Sequence, residues 1–396
     1  MSPRHADVVV VGGGLIGCWT AFFLRRRSLS VAVIEKGAIG AQSSGVNFGN
    51  LRLQGRHPGQ YPLALRAHAL WEQIEALIGE RCEFEQTGHL YLAFDAAQDA
   101  RLGTIAAEAR DHGVGSELLD PQAVRRRWPW LSHAVTSAAW SARDATANPR
   151  LVSPAVARAA ASLGATVIEE TQVVAVEPRG EGFRVVIDGG AAIDCDWVVN
   201  AAGAWATKIA AMAGDTVPMF AAGPPQFVTE PLPRFILPSV QAVDGRIIFR
   251  QVERGNVVVA GYPRGPSDPV RNRAPVQPEK TLASLRNLVQ VVPALAGAHV
   301  IRVWSGIEGY LPDMLPAIGP STGSPRLLHA FGFCGHGFQL GPGVGAVLAE
   351  IITDGQTPTP LAPFSVARFQ AGNVAPSAKL AAEFDAAAVP RTGSGA

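Results

Sequence analysis

Three observations predict an α/β fold in which a Rossmann-type nucleotide-binding domain is interleaved with a smaller antiparallel-sheet domain. The chain has 396 residues, room for two domains. Its start reads strand, glycine turn, helix, strand. From about Phe220 to Tyr262, β-type runs follow one another with no helix between them, the pattern of an antiparallel sheet.

Ala6 to Val11 is a continuous apolar run, as expected of a parallel strand buried on both faces. Gly12-Gly13-Gly14-Leu15-Ile16-Gly17 then spells G-x-G-x-x-G, and Leu15, Ile16, Trp19, Phe22 and Phe23 continue at helical spacing. A second apolar run, Val31 to Ile34, ends on Glu35. Gly12 makes the turn, Gly14 admits a pyrophosphate close to the backbone, and Gly17 lets the helix lie near the strand. The free N–H groups of the helix N-terminus attract phosphate. Glu35 is placed to accept hydrogen bonds from a ribose 2′-hydroxyl and to repel a 2′-phosphate. The glycines alone are a weak signal; the whole unit specifies a dinucleotide site.

Beyond this unit, helical patterns run from about Gln60 to Ile78, Gln98 to His112, Pro154 to Leu163 and Pro278 to Val291. Asn148-Pro149 and Ser153-Pro154 both read as N-cap and N1 pairs. Short β-type runs cover Gln172–Val176, Phe183–Ile187, Trp197–Asn200, Gln226–Thr229, Arg246–Gln251, Asn256–Gly261 and Val300–Trp304. These patterns assign residues 1–80, 147–217 and 300–365 to the nucleotide domain and residues 81–146 and 218–299 to the second domain. Residues 366–396, rich in Ala, Pro, Gly and Ser, form a tail expected to be mobile or loosely docked.

The formal net charge is +1, which makes no electrostatic case for nucleic acid or an anionic membrane surface. Cys18, Cys82, Cys195 and Cys334 are far apart and form no C-x-x-C, so neither a zinc site nor an iron–sulfur cluster is expected; the metal expectation is none. They read as reduced thiols of a cytoplasmic protein. The first apolar run is too short for a secretory h-region or a transmembrane segment.

Three further stretches carry a resemblance: Ile39-Gly40-Ala41-Gln42-Ser43-Ser44-Gly45, Val198-Val199-Asn200-Ala201-Ala202-Gly203-Ala204-Trp205, and Asp313 to Gly319 followed by Phe331-Gly332-Phe333-Cys334-Gly335-His336-Gly337-Phe338-Gln339. Together with the N-terminal unit they resemble the FAD-dependent D-amino-acid, glycine and sarcosine oxidase family (DAO), over most of the chain. Within it, Ser44 to Arg52 and Gly306 to Asp313 are most similar to the β-subunits of D-hydroxyproline and opine (octopine/nopaline) dehydrogenases, which work in complexes with partner redox subunits. The resemblance implies non-covalent FAD, with Ser305 near where a covalently linking cysteine would be expected. It implies cofactor contacts at Gly12, Gly14, Leu15, Ile16, Gly17, Glu35, Lys36, Ser43, Ser44, Gly45, Val173, Ala202, Gly203, Trp205, Gly335, His336, Gly337, Phe338 and Gln339.

The implied reaction is oxidation of the C–N bond of a small amino or imino acid by hydride transfer to the flavin. The substrate carboxylate calls for a guanidinium fork. Arg52, just after the Ile39–Gly45 stretch that resembles the family's small-residue loop beside the flavin (the flavin loop), is the first candidate, with Arg250 behind it; Tyr262 is placed to cap the carboxylate or close the pocket. Relatives often carry a lysine at the position of Gln339 and an arginine at that of Glu308, so both contacts differ here. Glu308 either meets a cationic part of the substrate or pairs with a neighbouring arginine. Gly341 to Gly345 are expected to open the C-terminal apolar helix, whose N-terminus would face the anionic flavin edge.

Three readings follow. One is a dehydrogenase for D-hydroxyproline, a proline-like substrate or an opine. Another is a self-contained glycine, sarcosine or D-amino-acid oxidase making H2O2. The last is a non-catalytic electron-relay subunit. None of Lys36, Lys208, Lys280 and Lys379 lies in a motif that should line the isoalloxazine, which favours dye or quinone acceptors over oxygen.

Overall fold

The computed structural model describes residues 4–370, 374–385 and 389. One eight-stranded sheet is built on the N-terminal unit. Its central order is Ala317–Pro320, Leu327–Phe331, Ala192–Asn200, His5–Val11, Val31–Ile34, Thr166–Ile168, parallel except at the first pair. Val173–Arg179 and Gly182–Ile187 add an antiparallel extension to Ala192–Asn200. Val8, Val9 and Val10 are wholly buried, as a strand covered on both faces requires.

Leu15–Arg25 lies on this sheet against His5–Val11 and Val31–Ile34. Leu15–Arg25 packs against Gly337–Asp354, which also packs against Tyr61–Trp71. Gly341, Gly343 and Gly345 make these approaches possible. A Cβ at Gly341 would lie 2.6 Å from Leu15 Cδ2, at Gly343 2.9 Å from Ala67 Cβ, and at Gly345 2.6 Å from the Trp19 carbonyl carbon. The expectation that these glycines open the helix is therefore corrected. The helix begins at Gly337 with His336 as its N-cap, and the later glycines are its contact face.

The second eight-stranded sheet runs Val300–Ser305, Pro225–Pro231, Asn256–Ala260, Ile248–Gln251, Ser239–Ala242, His89–Ala93, Ser137–Ser141, Glu117–Leu119. All its pairs are antiparallel except Ser239–Ala242 with His89–Ala93. Val300–Ser305 thus corrects the boundary at residue 300: it pairs with Pro225–Pro231, and the chain rejoins the first sheet at Ala317. A β-type run carries no mark of which sheet it will join. A three-stranded sheet, Gly265–Pro266, Phe220–Gly223, Glu308–Tyr310, lies beside the two large ones.

Helix boundaries differ in two places. The Gln60–Ile78 pattern divides into Tyr61–Trp71 and Ile74–Ile78. Pro149–Ser162 is one helix capped by Asn148, whose side chain accepts from Arg150 N, so Pro154 lies inside it and removes one i→i−4 bond.

The tail is also corrected. Val366, Phe369 and Phe384 are buried with Phe220, Tyr310 and Phe331, and Ser377 N donates to Pro312 O at 2.8 Å. Apolar residues spaced outside any helical or strand period can still fill gaps in a core, which composition does not reveal. Residues 371–373, 386–388 and 390–396 of that expectation lie outside the described residues. Among the described residues no helix is long and apolar enough to cross a membrane, and no His/Cys/Asp/Glu cluster could hold a metal.

Candidate active site

A cavity of about 1050 Å³ draws lining residues from both large sheets. One group of these surrounds the glycine turn. Gly12 has φ +109°, and a Cβ there would lie 2.4 Å from Ala201 O; one at Gly17 would lie 1.9 Å from Gly12 O. No larger residue fits either place. Gly14 caps the helix with no side-chain bond, and the first turn holds no acid, so the positive end of the helix dipole is unopposed by the chain's own charge. Ser44 Oγ accepts from Leu15 N at 2.8 Å, which holds the Ser43–Val46 turn against that end.

Glu35 accepts from Gly13 N (2.7 Å) and Gly37 N (2.9 Å), tying the glycine turn to the end of the second strand. Lys36 Nζ sits 3.0 Å from the centre of the Trp205 ring, and burial brings its pKa down to about 8. Leu15, Ile16, Ser43, Val173, Ala202 and Gly203 line the same cavity. Gly45 fits closely beneath it, since a Cβ there would lie 2.3 Å from Gly40 O. Bare backbone, a helix N-terminus and close-set glycines form a cradle that fits a pyrophosphate-linked cofactor.

The other group is made of side chains. Arg52 donates to the Gln54 carbonyl and lies 5.4 Å from the Tyr91 ring centre, and no carboxylate among the described residues pairs with it. Arg56, buried beneath, donates twice to Arg52 O (2.9 and 2.7 Å) and so fixes that backbone; its Nη1 has no partner among the described residues. Burial, then Arg52, lower its pKa to about 9.

Tyr262 and Glu308 also line the cavity. Gly265–Pro266 and Glu308–Tyr310 flank Phe220–Gly223 in the three-stranded sheet, which brings Arg264 near Glu308. Arg264, buried, bonds Glu383 at 2.7 Å and Tyr262 OH at 3.1 Å, and lies over the Tyr262 and Tyr310 rings. Burial opposes its charge, but Tyr262, Tyr310, Glu383 and Glu308 hold the guanidinium well above its ordinary pKa. Glu308 accepts from Tyr310 OH; burial raises its pKa, with Arg264 acting against that.

The Phe331–His336 stretch and the helix start at Gly337 close the group. A Cβ at Gly335 would lie 3.2 Å from Arg264 Nη2 and 3.9 Å from Glu308 Oε2. His336 is neutral: burial, then Arg56, Arg52, Lys379 and Arg264, drive its pKa far below the ordinary value. Gln339 Nε2 donates to Ala64 O and its backbone carbonyl accepts from Trp71 Nε1, both at 2.8 Å, which ties the first turn of the Gly337–Asp354 helix to the Tyr61–Trp71 helix. Gln339 Oε1 and His336 Nδ1 are buried without partners, while Gly337 and Phe338 also line the cavity. Two orphaned buried polar atoms beside a cavity fit the polar edge of a bound group.

The structure thus brings together Arg52, Tyr262, Glu308 and Gln339. It removes Arg250 from the site: that guanidinium donates to Phe48 O (2.9 Å) and Ala147 O (3.1 Å) and holds backbone. Sequence reading misses Arg264 and the tail residues Lys379 and Glu383, all of which line the cavity. Arg264 stands only two residues after Tyr262, a signal that could have found it; the tail offers none.

A dinucleotide cradle thus shares one cavity with arginines and a buried carboxylate, so a cofactor and a small polar ligand could meet there. The chain belongs to the DAO family, the FAD dependent oxidoreductases, matched over residues 7–351. It is similar to sarcosine oxidase subunit beta of Rhizobium meliloti (strain 1021), 29% identical over 93% of this chain and 89% of that one. Among solved structures it is similar to L-proline dehydrogenase from P. horikoshii, with 29% identity, TM-score 0.88, and coverage of 94% of this chain and 100% of that one. Glycine oxidase from Geobacillus kaustophilus gives 27%, 0.85, 92% and 99%. The protein is an FAD-dependent oxidoreductase of amino-acid-like substrates.

Proposed function

We propose that this chain oxidises the C–N bond of a proline-like secondary amino acid, D-hydroxyproline and opines being the narrower candidates, as a dehydrogenase working with partner redox subunits. The observation that carries the reading is the convergence of Arg52, Tyr262 and Glu308 on one cavity with the Gly335–Gln339 segment that enters the last long helix. The likeness to an L-proline dehydrogenase supports the substrate class, and a relative named as a subunit supports the partners.

FAD, when bound, accepts the hydride equivalent from the carbon next to nitrogen. The chain's residues do the rest. Gly12, Gly14 and Gly17 with the helix N-terminus would hold the diphosphate, and Glu35 a ribose. Arg52 binds the carboxylate and Tyr262 closes over it, so the substrate carbon is oriented before reaction. Glu308 balances the cationic nitrogen. Neutral His336 adds no positive charge there and leaves an imidazole for hydrogen bonding. Cys334 lines the cavity, where burial pushes its thiol up to about 12; non-covalent FAD is inferred from Ser305, near where a linking cysteine would be expected.

A second reading, an oxidase passing electrons to oxygen, is favoured by Lys379 in the cavity lining, since oxygen-reactive relatives place a lysine beside the flavin. Anaerobic bleaching of the flavin by a panel of D- and L-amino acids, proline derivatives and opines tests the substrate class. Proline derivatives or opines should bleach it fastest; bleaching by glycine or sarcosine alone would overturn the reading. Reoxidation by dyes or quinones should outpace that by air, and the reverse would establish the oxidase.

A further inference from the structure

The segment Ser377–Asp385 is pinned at both ends. Ser377 N donates to Pro312 O at 2.8 Å, and at the far end Arg264 N donates to Glu383 O (2.8 Å) while Asp385 N donates to Arg264 O (2.9 Å). Lys280 pairs with Asp385 at 2.8 Å, and Phe384 is buried with its ring centre 5.3 Å from that of Phe220 and 4.8 Å from that of Tyr310. Between these pins, Ala378, Lys379, Ala382 and Glu383 form part of the cavity lining. Desolvation at its amine lowers the Lys379 pKa; Glu383 acts against this, and Arg52, Arg101 and Arg264 add to it.

The charges of this lining do not balance. Glu383 pairs with Arg264, Asp244 pairs with Arg246, Glu308 accepts from Tyr310, and Glu35 caps backbone N–H groups at the nucleotide end. Arg52, Arg101 and Lys379 form no ion pair among the described residues; Glu383, bonded to Arg264, acts on Lys379 without pairing with it, and of the lining acids only Glu108 is otherwise left. Arg101 comes from the helix Ala96–Asp111, Lys379 from the pinned segment and Arg52 from the stretch just after the flavin loop, so three elements deliver three cations to one space. Arg52 is half-buried and Arg101 and Lys379 are exposed lining residues, so an anionic group entering from solvent would meet the cations together. One carboxylate on Arg52 would leave Lys379 and Arg101 without a counter-charge.

We propose that the cavity takes a dianionic substrate, with one carboxylate beside the reacting nitrogen on Arg52 and a second anionic group held by Lys379 and Arg101. This rests on the amino-acid reading above and narrows it. The pinned segment is then a specificity element: it supplies the distal cation and, through Glu383, holds Arg264 in place.

The test compares pyrrole-2-carboxylate with pyrrole-2,5-dicarboxylate, titrated into the FAD-loaded full chain and followed by flavin absorbance. A second charge-assisted contact should make the dianion bind at least about tenfold tighter. Lys379→Gln and Arg101→Gln should each cut that ratio several-fold. N-(2-carboxyethyl)glycine against N-ethylglycine gives the same ratio without the planar ring. No preference for the dianion in either pair, or a ratio unmoved by both substitutions, would overturn the proposal. If the monoanions also fail to bind, the amino-acid reading itself fails, and the proposal with it.

Discussion

The two ends of the cavity are built from different materials. The nucleotide end is backbone: Gly12, Gly14 and Gly17, a helix N-terminus, and Glu35 tied to Gly13 and Gly37. The end proposed for substrate is side chains: Arg52, Tyr262, Arg264, Glu308, His336 and Lys379 line the cavity there, delivered by segments spread over most of the chain. At Gly12 and Gly17 the backbone packing admits glycine alone. A set of side chains can be changed one at a time, and each change should read out as affinity or specificity.

The largest effect is expected where backbone meets backbone. Gly17→Ala would set a Cβ 1.9 Å from Gly12 O, with no flexible side chain to yield. It should cost more than about 4 kcal/mol and abolish FAD retention. A stable, yellow Gly17→Ala protein would erase the distinction between the two ends.

Arg264→Ala tests whether the substrate end has a rigid part of its own. It leaves Glu383 buried without its 2.7 Å partner. Breaking such a pair should lower unfolding stability by about 3–5 kcal/mol, read by urea denaturation. Arg264→Ala with Glu383→Gln should recover part of that loss; equal loss in the single and double variants would show that the pair is not coupled.

A third experiment addresses the scaffold that holds the first turn of the Gly337–Asp354 helix. His68 is buried on the Tyr61–Trp71 helix, and burial pushes its pKa down to about 4, against the nearby Glu72. A depressed folded value means this contribution is complete above the unfolded pKa near 6.5 and is lost as pH falls toward 4. The loss is on the order of 3 kcal/mol. Stability measured from pH 7 to 4 should fall less steeply in His68→Gln, and parallel curves would contradict the assignment.

The same contrast explains what the sequence reveals. Gly12 to Gly17 and Glu35 are read together because their chemistry is local and their spacing is set by one strand–helix–strand unit. Tyr262 and Glu308 are found by resemblance, but Arg264 meets Glu308 only through the pairing of Gly265–Pro266 and Glu308–Tyr310 with Phe220–Gly223. No periodicity encodes that meeting. Val300–Ser305 is legible as a strand, yet the sheet it joins depends on its partner Pro225–Pro231. Lys379 and Glu383 are hidden in a stretch of small residues whose docking rests on Phe384 filling a gap beside Tyr310.

The central claim is that the two ends are separable, one for cofactor and one for substrate. Arg52→Ala tests it most directly, because Arg52 follows the flavin loop in sequence yet serves the substrate end. FAD content per chain and the Kd for pyrrole-2-carboxylate are measured on the same preparation. The account predicts full FAD content and a Kd weakened about tenfold to a hundredfold, the worth of a charge-assisted bidentate contact of roughly 1.5–3 kcal/mol. Lost FAD with unchanged affinity in the remaining holoprotein would contradict it and move Arg52 to the cofactor end.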